Sequence, residues 1–412
     1  MSRTMIAVPL ALILSLISGT PALGQGPSAG PSPDPSTGPP AACVVSVARA
    51  VSTVRPALLA GRWRRLPNAP ISDRDGPVVA WTGAELLVWG GAGTSGRTGA
   101  AYDPTTRHWR PVPTAPMIPD PAIPAVWTGT ELIVWGGRRP GSDPHSWPRN
   151  EAAAFDPSAN TWRRIASPEG ASGPVTDLAA WTGAEMLAWG WFGGSSSWQA
   201  RLLAYSPTTD VWRETAPAPV PPVAPGSATM TWTGSELVVV DYPYDEAVDD
   251  VAARAAVYTP ATDTWRDLGT LPMLGGGVPD AHAAGDTVLL MNAYQWPDEG
   301  SSIGVASTRD LVLSAGDGCD RVPAPAPWTS STGAASAWTG RLLLFPGARG
   351  LAYDPAADSW LRLPRAPRLE QALIASATWA TDRLFVRGAP YLPALGRDRA
   401  DSWPMYEFIP SK

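Results

Sequence analysis

Trp81-Thr82-Gly83-Ala84-Glu85-Leu86-Leu87-Val88-Trp89-Gly90-Gly91 recurs along this chain, and its recurrence decides the fold. A second copy runs from Trp127 to Gly137, a third starts at Trp181 and a fourth at Trp232. The fifth is eroded: Ala283-Ala284-Gly285-Asp286 precedes Val288-Leu289-Leu290-Met291. The sixth starts at Trp338 with one residue deleted, and in the seventh, at Trp379, Ala380-Thr381 replaces Thr-Gly. A second phrase follows each of the first. Tyr102-Asp103-Pro104 leads to Trp109, and the same spacing takes Phe155 to Trp162, Tyr205 to Trp212, Tyr258 to Trp265 and Tyr353 to Trp360. In the fifth unit Val312 takes the Tyr position and Cys319 the Trp position. Repeats of this length, with short β-rich runs between turn signals, mark an array of identical all-β units.

Each unit reads as four strands. The first ends at the leading Trp, and Thr-Gly turns the chain, since Gly takes positive φ without steric cost. Glu85 to Trp89 is the second strand, Ala100 to Tyr102 the third and His108 to Val112 the fourth, with Asp103-Pro104 starting the turn between the last two. One such sheet cannot bury both its faces; radial stacking of several does so and leaves only short edges. The seventh unit supplies three strands, the last from Met405 to Ile409, and then the chain ends. Its missing fourth strand is predicted at the other terminus, where Arg62-Trp63-Arg64-Arg65-Leu66 resembles Thr161-Trp162-Arg163-Arg164-Ile165.

An apolar second strand ending in a Gly pair, a Tyr-Asp-Pro turn and a Trp several residues on resemble the kelch repeat. The resemblance spans Gly61 to Pro410 and implies an all-β, seven-bladed kelch-type β-propeller. Each blade would hold four antiparallel strands, with the N-terminal strand completing the last blade and closing the ring.

The rest of the chain reads as follows. Arg3, the apolar run Met5 to Ile17 and the small residues Ala22 and Gly24 predict a signal peptide over residues 1–24 and an exported, extracytoplasmic protein. The run is shorter than the roughly 20 residues that span a bilayer, and no later stretch predicts a membrane span. Residues 25–60 read as a Pro/Gly/Ser-rich linker and N-terminal tail, and 61–410 as the propeller. The net charge of −6, without a basic face, excludes a nucleic-acid binder. In an oxidising compartment the two cysteines, Cys43 and Cys319, either form one disulfide or stay separate thiols. A monomer is expected.

Tryptophan is in excess, 21 against 5 Phe and 9 Tyr, and the repeat absorbs fifteen of them. Trp147, Trp191, Trp198, Trp296, Trp328 and Trp403 are left over. All six fall in connections between strands two and three, or four and one, which share one face of a propeller. Tyr242, Tyr244, Tyr294, Phe192 and Tyr391 join them there. An aromatic-rich face suits stacking on sugar rings, with Asp143, Arg149, Gln199, Asp245 and Gln295 near enough in sequence to bind hydroxyls. Long loops also pack aromatics merely to order themselves. The predicted ligand site is Trp147, Trp191, Trp198, Tyr242, Tyr244, Tyr294, Trp296 and Trp403, together with His282, which starts a first strand near the central channel. The run Asp245, Glu246, Asp249, Asp250 lacks the ligand order of an EF-hand and reads as solvated charge.

Catalytic motifs are thin. There is no nucleophile elbow and no zinc-binding helix. Galactose oxidase stands on a seven-bladed kelch propeller, and that resemblance implies copper held by two His and two Tyr, one Tyr cross-linked to Cys. His145 and His282 could pair, but Cys43 lies in the tail and Cys319 in an outer strand, so no metal or other cofactor is expected. The expected role is a binding module for a glycan or another surface polymer. A carbohydrate-active enzyme of oxidase or mutarotase type, and a protein-interaction scaffold, are the alternatives.

Overall fold

Strand two of each repeat is the driest part of the chain. Leu86–Trp89, Leu132–Trp135 and Leu237–Asp241 are buried at every position. A strand buried on both faces needs a layer on each side, and neighbouring copies of the same sheet supply it. The computed structural model describes residues 57–411 apart from 73, 75, 93–95, 122, 144–148, 194–197, 223–226, 242–252, 272–278, 285–286, 293–302, 308–334, 347–349, 358, 366–372 and 390–403. The expected signal peptide, most of the linker and tail, Cys43 and Cys319 lie outside the described residues.

The described residues form an all-β propeller of antiparallel sheets. The first sheet holds Val78–Trp81, Leu86–Trp89, Gly99–Asp103 and His108–Val112 in that order. The second holds Ala125–Trp127, Leu132–Trp135, Ala152–Asp156 and Thr161–Arg164; the third holds Ala171–Trp181, Met186–Phe192, Gln199–Ser206 and Val211–Glu214. The fourth runs from Ala228–Trp232 to Thr264–Leu271, the sixth from Ala337–Trp338 to Ser359–Arg362. In the last sheet Leu373–Ala380, Arg383–Ala389 and Met405–Pro410 are joined by Gly61–Arg65, with Trp63 opposite Phe408.

Six sheets therefore carry the expected four strands. The fifth departs from the expectation of seven complete blades: it shows Pro279–Ala284, Thr287–Asn292 and Ile303–Ser307 among the described residues, and the segment expected as its fourth strand lies outside them. The eroded repeat phrases fall in this same unit. A second departure is at the tail. Ala57–Leu58, expected as linker, adds a fifth, parallel strand to the sixth sheet against Leu361 and Arg362.

Repeated polar devices hold each sheet in shape. The Thr82 hydroxyl accepts the Glu85 amide at 2.8 Å, and Thr128, Thr182, Thr233 and Thr339 do the same in their units. The strand-four tryptophans donate their indole N–H to a carbonyl at the end of the preceding sheet's fourth strand. Trp162 reaches Pro113, Trp212 Ala166, Trp265 Ala216, Trp109 Pro67 and Trp63 Pro364, all at 2.7 to 2.9 Å. Glu85 clamps Arg110, Glu131 Arg163 and Glu185 Arg213 within their own sheets. Apolar clusters of buried side chains bridge consecutive sheets, and one joins Phe385 and Met405 of the last sheet to Leu86, Val88 and Tyr102 of the first. Among the described residues no helix is long and apolar enough to cross a membrane.

Candidate binding groove

The third sheet breaks the repeat where strand two should stop. In the first and second sheets the Gly pair turns the chain: Gly90, Gly91, Gly136 and Gly137 all have positive φ, from 76° to 119°. In the third unit the second Gly is replaced by Trp191, and Gly190 stays in an extended conformation. Pairing then runs on through Gly190 and Arg201, Trp191 and Ala200, and Phe192 and Gln199. Trp191, expected in a loop, is therefore a strand residue. The reason is local: an L-residue disfavours the left-handed turn that Gly takes freely.

This longer hairpin brings Trp191 and Trp198 together, with ring centroids 6.1 Å apart and planes at 60°. Trp198 is 41% exposed, unusually high for a large apolar side chain here. The two rings line a groove of about 640 Å³ together with Gln199, Ala200, Arg201, Leu202, Glu214, Thr215, Ala216, Pro217, Ala218, Pro221 and Pro222. That volume is in the range of ligand clefts, roughly 300–1,000 Å³. The opposite wall is tied to the fourth sheet: the Ala216 amide donates to Asp263 at 3.0 Å, and its carbonyl accepts Trp265 at 2.8 Å. Pro217, Pro221 and Pro222 stiffen it further.

On the sheet face opposite Trp191 and Ala200, at the margin of the groove, Arg201 centres one polar assembly. Arg201 Nη1 donates to both Glu214 carboxylate oxygens at 2.9 and 3.0 Å, and Nη2 donates to Gln199 Oε1 at 3.3 Å. The guanidinium carbon lies 4.5 Å from the Phe192 ring centre. The ion pair is solvent-exposed and contributes little to stability, about 0–1 kcal/mol. The stacked, forked geometry instead fixes where its donors and acceptors point.

His282 is not among the residues lining this groove. It sits on Pro279–Ala284 with Nε2 at 2.6 Å from the Ser336 hydroxyl, linking the fifth sheet to the start of the sixth. Burial pushes its pKa down to about 4, so it is neutral at neutral pH. Arg149, expected as a hydroxyl partner, is bonded to Asp120 at 2.5 Å. Trp147, Tyr242, Tyr244, Tyr294, Trp296 and Trp403 lie outside the described residues, as do Trp328, Tyr391, His145, Asp245 and Gln295. Arg201, Glu214 and the proline wall were not legible as site residues. The Arg201 and Glu214 positions also hold an ion pair in the fourth unit, Arg254 and Asp267, and in the second with the signs reversed, Glu151 and Arg164, so the pair belongs to the repeat.

The fold defines a β-propeller, and the comparisons are consistent with that class. No protein-family model matches the sequence, and none of the curated proteins is significantly similar to it. Among solved structures the chain is similar in fold to a fungal alcohol oxidase of the AA5 family in complex with copper. The TM-score is 0.53 at 13% identity, over 85% of this chain and 76% of that one. At that identity the likeness is one of fold. This chain's described donors do not fit a centre of two His and two Tyr. Among the described residues no three of His, Cys, Asp and Glu converge on a metal position. His108 is exposed with Nδ1 bonded to the Thr106 carbonyl, and His282 faces a serine hydroxyl.

Proposed function

We propose that this chain is an exported, kelch-type binding module that holds carbohydrate in the groove between its third sheet and the connection that follows it. The observation that carries the reading is the Trp191–Trp198 pair, with Trp198 exposed, lining the groove. Sugars combine apolar ring faces with hydroxyls that both donate and accept. The aromatic wall answers the first demand, and Thr215 and the backbone polar groups lining the groove answer the second. The scaffold is read as seven blades in a closed ring, supported by the apolar cluster between the last and first sheets and by Trp63 acting as the last sheet's strand-four tryptophan.

Glycan-array binding followed by titration tests the function. Trp191→Ala with Trp198→Ala is expected to abolish binding while leaving the thermal transition intact; undiminished binding would overturn the site. The enzymatic alternative draws on fold likeness alone, and turnover of a sugar panel by the purified chain would favour it.

A further inference from the structure

We infer that the groove is a seat for this chain's own proline-rich tail, residues 25–40, and that a sugar enters by displacing it. The seat follows from the groove itself; the tail's part as a competitor rests on the carbohydrate reading above.

The groove's inner wall is apolar. Trp191 and Ala200 share one face of the third sheet and pack in one cluster with Ala218 of the connection that follows it. Trp198 is left 41% exposed, and Pro217, Pro221 and Pro222 border the same groove. Aromatic-lined grooves are the surfaces on which proline-rich segments dock. Such a segment is stiff before it binds, so little chain entropy is lost on docking, and its pyrrolidine rings offer apolar faces for indole to stack on.

The chain carries that segment. Six prolines fall within residues 25–40, Pro31, Pro33 and Pro35 among them, and Asp34 is the one charge there. A stretch of this composition favours polyproline II and holds too few apolar side chains to build a core of its own. It is also tethered within reach. Ala57 pairs with Leu361 beyond the fourth strand of the sixth sheet, and the Leu59 amide donates to the Arg362 carbonyl at 2.7 Å. Pro35 precedes Ala57 by 22 residues, an extended reach of about 70–80 Å, while a domain of this length is roughly 50 Å across. Tethering holds the segment near the groove at an effective concentration on the order of 1 mM, enough to populate a weak contact.

The experiment compares the full chain with the full chain carrying Pro31→Ser, Pro33→Ser and Pro35→Ser, which lie outside every described strand. Both are labelled with fluorotryptophan, and the fluorine resonances of Trp191 and Trp198 are assigned by Trp191→Phe and Trp198→Phe. The two resonances are expected to differ between the chains at every protein concentration. A synthetic peptide of residues 25–42 should return those of the variant to the wild-type positions. Glycan affinity is expected to rise at least about threefold in the variant, the effect of freeing a groove that the tail fills about two-thirds of the time.

Resonances that coincide in the two chains while a glycan binds overturn the inference and leave the groove reading in place. A difference that vanishes on dilution puts the tail in a second copy's groove and overturns the tethered seat. Resonances that differ while glycan affinity stays unmoved overturn the competition. Resonances that differ while neither chain binds a glycan support the seat and overturn the carbohydrate reading. Coinciding resonances with no glycan bound overturn both.

Discussion

The hairpins between strands two and three of the first and third sheets differ in form by one residue, and that residue separates scaffold from site. In the first sheet Gly90 and Gly91 carry φ of 76° and 87° and end the strand after Trp89. In the third sheet Gly190 is followed by Trp191, and pairing continues to Phe192. The two units otherwise share their turn, ion-pair and tryptophan devices, though strand one is longer in the third sheet. Both have the Thr-capped turn, the strand-two Glu clamping a strand-four Arg, and a strand-two Trp packed on the next sheet's outer Trp. Function, on this reading, lives in the departure from the repeat and the repeat itself supplies rigidity.

The scaffold half of the comparison predicts the largest effect. Trp162 stacks 4.7 Å from Trp89 and 5.1 Å from Phe155, and donates to Pro113. Trp162→Ala should cost about 3–5 kcal/mol in urea unfolding, typical of a large aromatic deleted from a core. A cost below about 1 kcal/mol would show that the outer ladder is dispensable. On the site half, Trp191→Gly restores the Gly pair of the first sheet. Sugar affinity should fall at least about tenfold, with the unfolding midpoint changed far less than by Trp162→Ala. A variant that keeps its affinity would uncouple the hairpin extension from the site.

A pH effect distinguishes the seam between the fifth and sixth sheets from the others. The folded His282 pKa of about 4 lies below the ordinary value of 6.5, so the unfolded chain binds the extra proton first as pH falls. Stability should therefore decline from pH 6.5 toward 4 and be insensitive to this group above that range. Melting curves of His282→Asn should be flatter over that window; an unchanged slope would assign the acid sensitivity elsewhere. The smallest effect concerns the seventh turn. Thr381 sits at φ 51°, where the other turns place Gly. Thr381→Gly should relieve about 1 kcal/mol of strain, less what is lost with the 3.3 Å contact from the Trp81 indole.

The architecture was legible because the repeat states it many times: the Trp-Thr-Gly turn, the apolar second strand and the Tyr-to-Trp spacing each recur in register. The fifth unit, with Val312 and Cys319 in place of Tyr and Trp, is where the repeat signal fades and where the described residues show three strands. The site was half legible. Subtracting the repeat isolated Trp191 and Trp198, and both line the groove. Arg201 and Glu214 stand at repeat positions that also pair in the fourth unit, as Arg254 and Asp267, so the sequence marks them as scaffold. His282 drew notice as a rare residue, but its neighbour Ser336 comes from the next unit, and the pair links two sheets away from the groove.

The most direct measurement of the central claim is a crystal structure of the full chain grown with the tightest-binding glycan. The account predicts a sugar ring in the groove, against Trp191 and Trp198. A sugar seated away from these two rings, with the groove left to solvent, would contradict it.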